Sequence, residues 1–164
     1  MPDCVYSIAI FPLLRSRLAF LRKRALKLKT LYPESYSQNK TVKLFKAVLK
    51  VIEISAQNPI LPNYRLGKML GKEYTHWRRC KDGLPPRYRL FFRFSSEQLV
   101  CCYAWLNDEK TLRQENARTD VYVVFRRLLE SGAIPTDFAK LMQCSTHWAA
   151  VEEFVGSFPL PNTP

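Results

Sequence analysis

Arg87-Tyr88-Arg89-Leu90-Phe91-Phe92-Arg93-Phe94 alternates between two kinds of side chain with a period of two residues, which is typical of a β-strand. One face of this strand is apolar and consists of Tyr88, Leu90, Phe92 and Phe94. The other face carries Arg87, Arg89 and Arg93, with Phe91 among them. We therefore predict that one face packs on a core and that the opposite face presents a row of guanidinium groups.

Two further strands are predicted on either side of this stretch. Upstream, Trp77, Arg79 and Lys81 alternate along a short strand, and the turn at 82–86 connects it to Arg87. Downstream, Leu99 to Leu106 is almost continuously apolar, which predicts a central strand. Antiparallel pairing of these strands would bring the basic side chains onto one surface.

Helical periodicity precedes the strands. The first helix ends near Pro33, and its apolar stripe consists of Leu14, Leu18, Leu21, Ala25 and Leu28. The second spans roughly Ser37 to Ala56, and its stripe consists of Val42, Phe45, Val48, Leu49 and Ile52. These two helices are expected to form a hairpin that lies on the sheet.

A third helical pattern follows the strands from about Thr119. Its predicted buried residues are Val121, Val124, Phe125 and Leu128, and Gly132 stands where a C-terminal cap belongs. A short terminal helix and a proline-rich tail follow. We predict an α+β fold in one domain, 1–164, with a helical part at about 11–57, the sheet and C-terminal helices at about 74–145, and a tail at 146–164.

The early apolar stretch, Cys4 to Leu14, is too short to span a bilayer and lacks the preceding basic residue of a signal peptide. Five cysteines without a C-x-x-C pair favour a reducing compartment. We therefore expect a cytoplasmic protein that does not contact membranes.

Charge is distributed unevenly along the chain, which has a formal net charge of +12. Positions 1–60 hold 11 basic and 3 acidic residues, positions 61–93 hold 9 and 2, and positions 94–164 hold 6 and 9. A positive field over the first two thirds favours a polyanion, because each cation that meets a phosphate releases counterions. Solubility alone, or an acidic protein partner, would also explain the excess.

The basic set Arg79, Lys81, Arg87, Arg89 and Arg93 is the strongest candidate site. Crowded like charges destabilise a sheet unless an anion binds there, and the planar fork of arginine suits phosphate oxygens. Trp77, Phe91 and Tyr122 could stack on unpaired bases. An ordinary solvated sheet face is the alternative.

Three other sets of residues are weaker candidates for a catalytic or ligand-binding site. His76 and His147 would have to meet from distant segments to support a two-histidine mechanism. Gly67-Lys68 lacks the spacing and the Ser or Thr of a phosphate loop. Asp108, Glu109 and Asp120 could bind a metal, but Asp120 stands at a helix start, where capping is the commoner role.

Ordered motifs over most of the chain resemble the YhaV-type ribonuclease toxins of the RelE/ParE superfamily. The most specific are Arg87 to Arg93, Trp105 to Arg113 and Thr119 to Tyr122. Pro33 to Tyr36, Lys50 to Glu53, Asn58-Pro59 and Arg65 to Gly71 also match. The chain departs from the family pattern at 84–86 and at 114–118, two loops that are expected to border the site.

The resemblance implies a RelE-like fold, in which a helical hairpin packs on a twisted antiparallel sheet with a C-terminal helix. It also implies cleavage of mRNA during translation, on ribosomes, without a metal or other cofactor. The implied catalytic residues are Arg79, Lys81, Arg89, Arg113 and Tyr122. To RNA binding we assign Lys68, Trp77, Arg87, Arg93 and Arg118. The implied partners are a PrlF-type antitoxin and, for the toxin–antitoxin complex only, operator DNA.

The mechanism that this set suggests is attack of the RNA 2′-hydroxyl on the adjacent phosphate, which leaves a cyclic phosphate and a 5′-hydroxyl. Two rival functions stay open at this point. One is a non-catalytic toxin on the same scaffold that poisons DNA gyrase, and the other is an inactive module that binds RNA or ribosomes. A gyrase poison should not need Arg79, Lys81, Arg89 and Tyr122 together, and their presence favours cleavage.

Overall fold

The computed structural model describes residues 6–148. Their elements follow in the order β1 (Ser7–Ile10), α1 (Pro12–Leu31), α2 (Lys40–Gln57), β2 (Arg78–Cys80), β3 (Leu90–Ser95), β4 (Val100–Leu106), α3 (Val121–Glu130), α4 (Phe138–Gln143) and β5 (Thr146–His147). Short 3₁₀ helices lie at Tyr36–Gln38, Pro62–Tyr64 and Lys72–Tyr74. This α+β architecture agrees with the RelE-like fold that the resemblance implies.

The strands form one sheet in the order β2-β3-β4-β1-β5. The predicted antiparallel pairs are confirmed, because Arg79 lies opposite Phe91 and Leu90 lies opposite Leu106. The predicted sheet was incomplete, however. The early apolar stretch contributes β1, which pairs in parallel with β4, so the sheet is mixed.

The C-terminal edge of the sheet also differs from the prediction. Thr146 and His147, which the sequence analysis assigned to the tail, pair with β1 as strand β5. A strand of two residues is too short to leave a periodic signal in the sequence. The rest of the predicted tail, 149–164, lies outside the described residues.

The helical hairpin covers one face of the sheet, as predicted. α1 buries Leu14, Leu18, Leu21 and Ala25, and all five predicted apolar positions of α2 are buried. Together with Leu90, Phe92 and Tyr103 from the sheet they form the larger core. Asn39 caps α2 by accepting a hydrogen bond from Thr41 N at 2.8 Å.

The opposite face carries a second core, which corrects the predicted row of guanidinium groups. α3 lies on this face, and the ring of Phe125 stacks on Phe91 with centroids 3.9 Å apart. α3 buries Tyr122 and Leu129, whereas Val124 and Leu128 are only half-buried. The arginines of this face therefore lie at the ends of an aromatic layer rather than along an open surface.

No helix in residues 6–148 is long and apolar enough to cross a membrane. α1 comes closest in length, with 20 residues, but its exposed side is strongly basic.

Gly83 and Gly67 provide a matched test of the packing beneath the turn between β2 and β3. Both have positive φ, at which an L-residue costs about 1–2 kcal/mol. A Cβ at Gly83 would lie 2.9 Å from Val51 Cγ2, whereas one at Gly67 would meet nothing within 4 Å. We expect Gly83→Ala to lower the free energy of unfolding more than Gly67→Ala in urea titrations. Equal losses would contradict the close contact with α2.

Candidate active site at one end of the sheet

The hydroxyl of Tyr122 is the point at which the predicted catalytic residues meet. Arg79 Nε donates to it at 2.7 Å, and Arg89 Nε donates to it at 3.2 Å. The guanidinium carbon of Arg113 lies 5.2 Å from the centre of the Tyr122 ring. The structure thus brings four of the five predicted catalytic side chains into one cluster, here called the Tyr122 cluster: Arg79, Arg89, Arg113 and Tyr122.

Each member of the Tyr122 cluster is positioned by a different element. Arg79 lies in β2, and its Nη1 donates to Arg65 O at 2.8 Å. Arg89 directly precedes β3, and its Nη1 donates to Tyr88 O at 2.8 Å. Tyr122 lies in the first turn of α3. The cluster therefore depends on tertiary packing and not on one local motif.

Asp120 fixes both the start of α3 and the side chain of Arg113. It is only 3% exposed, and its carboxylate accepts hydrogen bonds from Arg113 Nη1 at 2.8 Å, Gln114 N at 2.7 Å and Tyr122 N at 3.1 Å. Burial acts to raise the pKa of Asp120, but these hydrogen bonds outweigh it, so the pKa lies below its ordinary value. The hydrogen bond to Asp120 raises the pKa of Arg113.

Asn107 is a positioning residue that the sequence analysis did not single out. It is fully buried, and its Oδ1 accepts from Arg89 N at 2.8 Å. Its Nδ2 donates to Arg87 O at 3.1 Å and to Thr111 O at 2.9 Å. Arg87 has a φ of 73°, a conformation that few non-glycine residues adopt. Asn107 lies within a matched motif, but a sequence does not show which carbonyls a buried amide will meet.

Like charges lie close together in the Tyr122 cluster. Because Arg79 Nε and Arg89 Nε share one oxygen, they lie within about 6 Å of each other, where like charges near a protein surface repel by about 3 kcal/mol. Neither residue has a salt bridge among residues 6–148. A bound phosphate would relieve this repulsion.

Lys81 and Arg87 lie at the margin of the cluster. Lys81 is exposed immediately after β2, where its carbonyl oxygen accepts a hydrogen bond from Leu84 N at 3.3 Å in the turn that follows. Arg87 is exposed, and its Nε donates to Arg113 O at 2.9 Å. Both are exposed cations on chain segments that adjoin the cluster.

Two residues that we assigned to RNA binding lie elsewhere. Trp77 is 1% exposed and packs edge-on against Phe125, so its ring is a core element and cannot stack on a base. Arg93 lies about 13 Å along β3 from Arg89, where its Nη1 donates to Thr136 O and its guanidinium lies over Phe138. Apolar packing of α3 separates both residues from the cluster.

Lys68 and Arg118 are exposed in loops, and neither contacts the Tyr122 cluster through a described hydrogen bond or ion pair. Phe91, considered as a stacking residue, is fully buried beneath Tyr122, with centroids 5.8 Å apart. Of the three aromatic residues considered for base stacking, Tyr122 belongs to the cluster, whereas Trp77 and Phe91 are core residues.

The histidine pair and the acidic residues that were considered as weaker candidate sites do not form a site in the described residues. His76 precedes β2 and His147 lies in β5, which are opposite edges of the sheet and about 19 Å apart. The carboxylate of Asp108 instead stabilises its own turn, accepting from Lys110 N and Thr111 Oγ1, each at 2.9 Å. Within residues 6–148, no group of three or more His, Cys, Asp or Glu side chains could hold a metal ion.

Three cysteines of the described range are free thiols: Cys80, Cys102 and Cys144. Burial raises the pKa of Cys80 to about 12 and that of Cys102 to about 11. Both thiols are therefore protonated at neutral pH and are poor nucleophiles.

Residues 8–146 match a family described as a toxin with endonuclease activity, of a toxin–antitoxin system. The chain belongs to the YhaV toxin family. One relative in this family is "Toxin YhaV" of Escherichia coli O6:H1, which is 43% identical over 113 residues, or 68% of this chain and 73% of the relative. Another is "Ribonuclease toxin YhaV" of Escherichia coli strain K12, 43% identical over 111 residues, or 66% of this chain and 71% of the relative. No solved structure matches significantly.

Membership of the YhaV family makes this chain an endonuclease toxin that is paired with an antitoxin. The match covers every residue of the Tyr122 cluster. The family description is that of an enzyme, which opposes the two non-catalytic functions left open by the sequence.

The lowered pKa of Asp120 predicts a specific loss of stability in acid. Its contribution is present above the ordinary carboxyl pKa and is lost as pH falls through the lower folded-state value. Asp120→Asn should therefore show a smaller loss of unfolding free energy than the wild type between about pH 5 and pH 2 in urea titrations. Asp82→Asn, at an exposed turn position, serves as the control and should follow the wild-type curve.

Proposed function

We propose that this YhaV-family toxin is a ribonuclease that cleaves mRNA by attack of a 2′-hydroxyl on the adjacent phosphate. The observation that carries the proposal is the Tyr122 hydroxyl with two guanidinium donors, beside a third guanidinium at the ring face. Such a site suits a phosphate on which negative charge develops. The printed name of the strain K12 relative, a ribonuclease toxin, favours RNA as the substrate.

The arginines are proposed to stabilise the pentacoordinate phosphorus. Arg79 and Arg89 each use Nε and one terminal nitrogen within the protein, and the second terminal nitrogen of each makes no hydrogen bond among the described residues. These nitrogens are available to phosphate oxygens. Arg113, oriented by Asp120, adds a third cation over the face of the tyrosine ring.

Proton transfer is assigned to Tyr122 and Lys81. The oxygen of Tyr122 accepts two hydrogen bonds, so its own proton must point to a third partner, which is the substrate in this proposal. Lys81 is the other titratable group within reach. Whichever of the two is deprotonated accepts the 2′ proton, and the other, which holds its proton, gives that proton to the 5′ oxygen that leaves. In this reaction no metal and no water nucleophile is required.

We further propose that the substrate is mRNA on translating ribosomes and that a PrlF-type antitoxin inhibits the enzyme in the cytoplasm. The strongly basic first two thirds of the chain support both an RNA substrate and an acidic partner. Binding of operator DNA is assigned only to the toxin–antitoxin complex.

Removal of one cluster side chain should abolish most of the activity. Arg89→Ala and Tyr122→Phe are each expected to lower the rate of RNA cleavage by about 100-fold or more, because each removes a positioned donor from the transition state. Arg126→Ala is the matched control, because it removes an equal charge from an exposed salt bridge on α3. Full cleavage by Arg89→Ala would refute the assigned roles.

The nucleophile can be tested with the substrate alone. A short RNA with a single 2′-deoxy sugar on the 5′ side of the cleaved bond should resist cleavage, whereas a deoxy sugar one position away should be tolerated. The products should carry a cyclic phosphate and a 5′-hydroxyl, and EDTA should not slow the reaction on protein-free RNA. Attack by the 2′-hydroxyl would be excluded if the RNA with the deoxy sugar on the 5′ side of the cleaved bond were cut there, or if the products carried 5′-phosphates.

A further inference from the structure

A cavity of about 390 Å³ lies on the helical face of the sheet, at the same end as the Tyr122 cluster. It opens between the start of α2 and the two loops that carry Arg87 and Arg113. Its apolar walls include Leu44, Pro86 and Leu112. A volume of this size is within the range of small-ligand sites.

The cavity and the Tyr122 cluster are built on the same two chain segments. Tyr88 lines the cavity, and the next residue, Arg89, belongs to the cluster. Leu112 lines the cavity, and the next residue, Arg113, also belongs to the cluster. Tyr88 and Arg89 point to opposite faces of the strand, so the cavity and the cluster lie on the two sides of the same end of the sheet. An RNA strand that binds at the cluster reaches the cavity mouth around that end.

The polar groups around the cavity are suited to an anion with an apolar body. Lys40 and Lys43 are exposed at its rim, and neither has a salt bridge among the described residues. The hydroxyl of Tyr88 makes no hydrogen bond within residues 6–148. Glu109 is the acidic residue of the lining. The rim therefore carries more positive than negative charge, whereas the walls offer apolar surface and a half-buried tyrosine.

We propose that this cavity binds one nucleotide of the substrate RNA next to the cleaved bond, with the base against Tyr88 and Leu112 and phosphates at Lys40 and Lys43. This inference rests on the proposed ribonuclease function and adds the determinants of sequence preference. A base has the flat apolar faces and polar edges that the walls accommodate.

The first test removes single bases from a short RNA substrate. An abasic site at one position beside the cleaved bond should lower kcat/KM by about 5- to 150-fold, as expected for the loss of one stacked base. Abasic sites two or more positions further away should have little effect. Uniform tolerance of abasic sites would overturn the proposal.

The second test compares two double variants that lose the same charge. Lys40→Ala with Lys43→Ala should raise KM and should reduce the slope of log KM against log salt by about 1.4, as expected for two lost phosphate contacts on a single strand. Lys23→Ala with Lys27→Ala removes two exposed lysines of α1 and should leave that slope unchanged. Equal effects of the two double variants on KM and its salt dependence would show only a general attraction between lysines and RNA. That result would contradict a specific site at Lys40 and Lys43.

Crosslinking separates failure of the cavity from failure of the proposed function. An RNA with 4-thiouridine beside the cleaved bond and a 2′-deoxy sugar at that bond should crosslink to the segments 85–88 or 109–112. If this crosslink forms but the all-ribose RNA is not cleaved, the ribonuclease function is refuted and the binding of a nucleotide in the cavity is supported. Cleavage of the all-ribose RNA without this crosslink would contradict the nucleotide site in the cavity but not the ribonuclease function. In a separate labelling experiment, the nucleotide site would also be contradicted if antitoxin, but not RNA, protected Lys40 and Lys43 from an amine-reactive reagent.

Discussion

The central constraint on this structure is that three guanidinium groups must stay close together with one carboxylate facing them in the described residues. Asp120 pairs with Arg113 and leaves Arg79 and Arg89 without an anionic partner there. Neutral oxygens hold these two arginines instead: the Tyr122 hydroxyl and the carbonyls of Arg65 and Tyr88. Hydrogen bonds to neutral acceptors fix the side chains without cancelling their charge, so the positive field remains for the substrate.

Sequence periodicity predicted the elements that follow a regular period. The α1 and α2 stripes and the alternation of β3 could be predicted because one face of each packs on the larger core. β4 could be predicted from its continuous apolar run, because both of its faces are buried. β1 and β5 could not, since they are short and their pairing is decided by distant residues. Alternation correctly placed Arg79 and Arg89 on one side of the sheet. It could not show that α3 would cover that side, which is why Trp77 became a core residue.

The candidate site was less predictable than the fold, because its geometry depends on buried polar contacts. Arg113 entered through family resemblance alone, and the structure explains its position by a single carboxylate that also caps α3. Asn107 carries no charge and lies on no regular face, yet it joins the segments of Arg87, Arg89 and Thr111. A polar network of this kind can be recognised only after the chain segments have been brought together.

The second core links the stability of the sheet to the position of the Tyr122 hydroxyl. The Tyr122 ring packs edge-on against Phe91, which stacks on Phe125 and Trp105. The hydroxyl on this ring accepts hydrogen bonds from Arg79 and Arg89, so close packing of the ring determines where the two guanidinium groups meet. Because such interiors have few voids and side chains in defined rotamers, the ring has little freedom to follow a misplaced arginine. The positions of the Tyr122 hydroxyl and of the two guanidinium groups bonded to it are thus set by the same apolar contacts that attach α3 to the sheet.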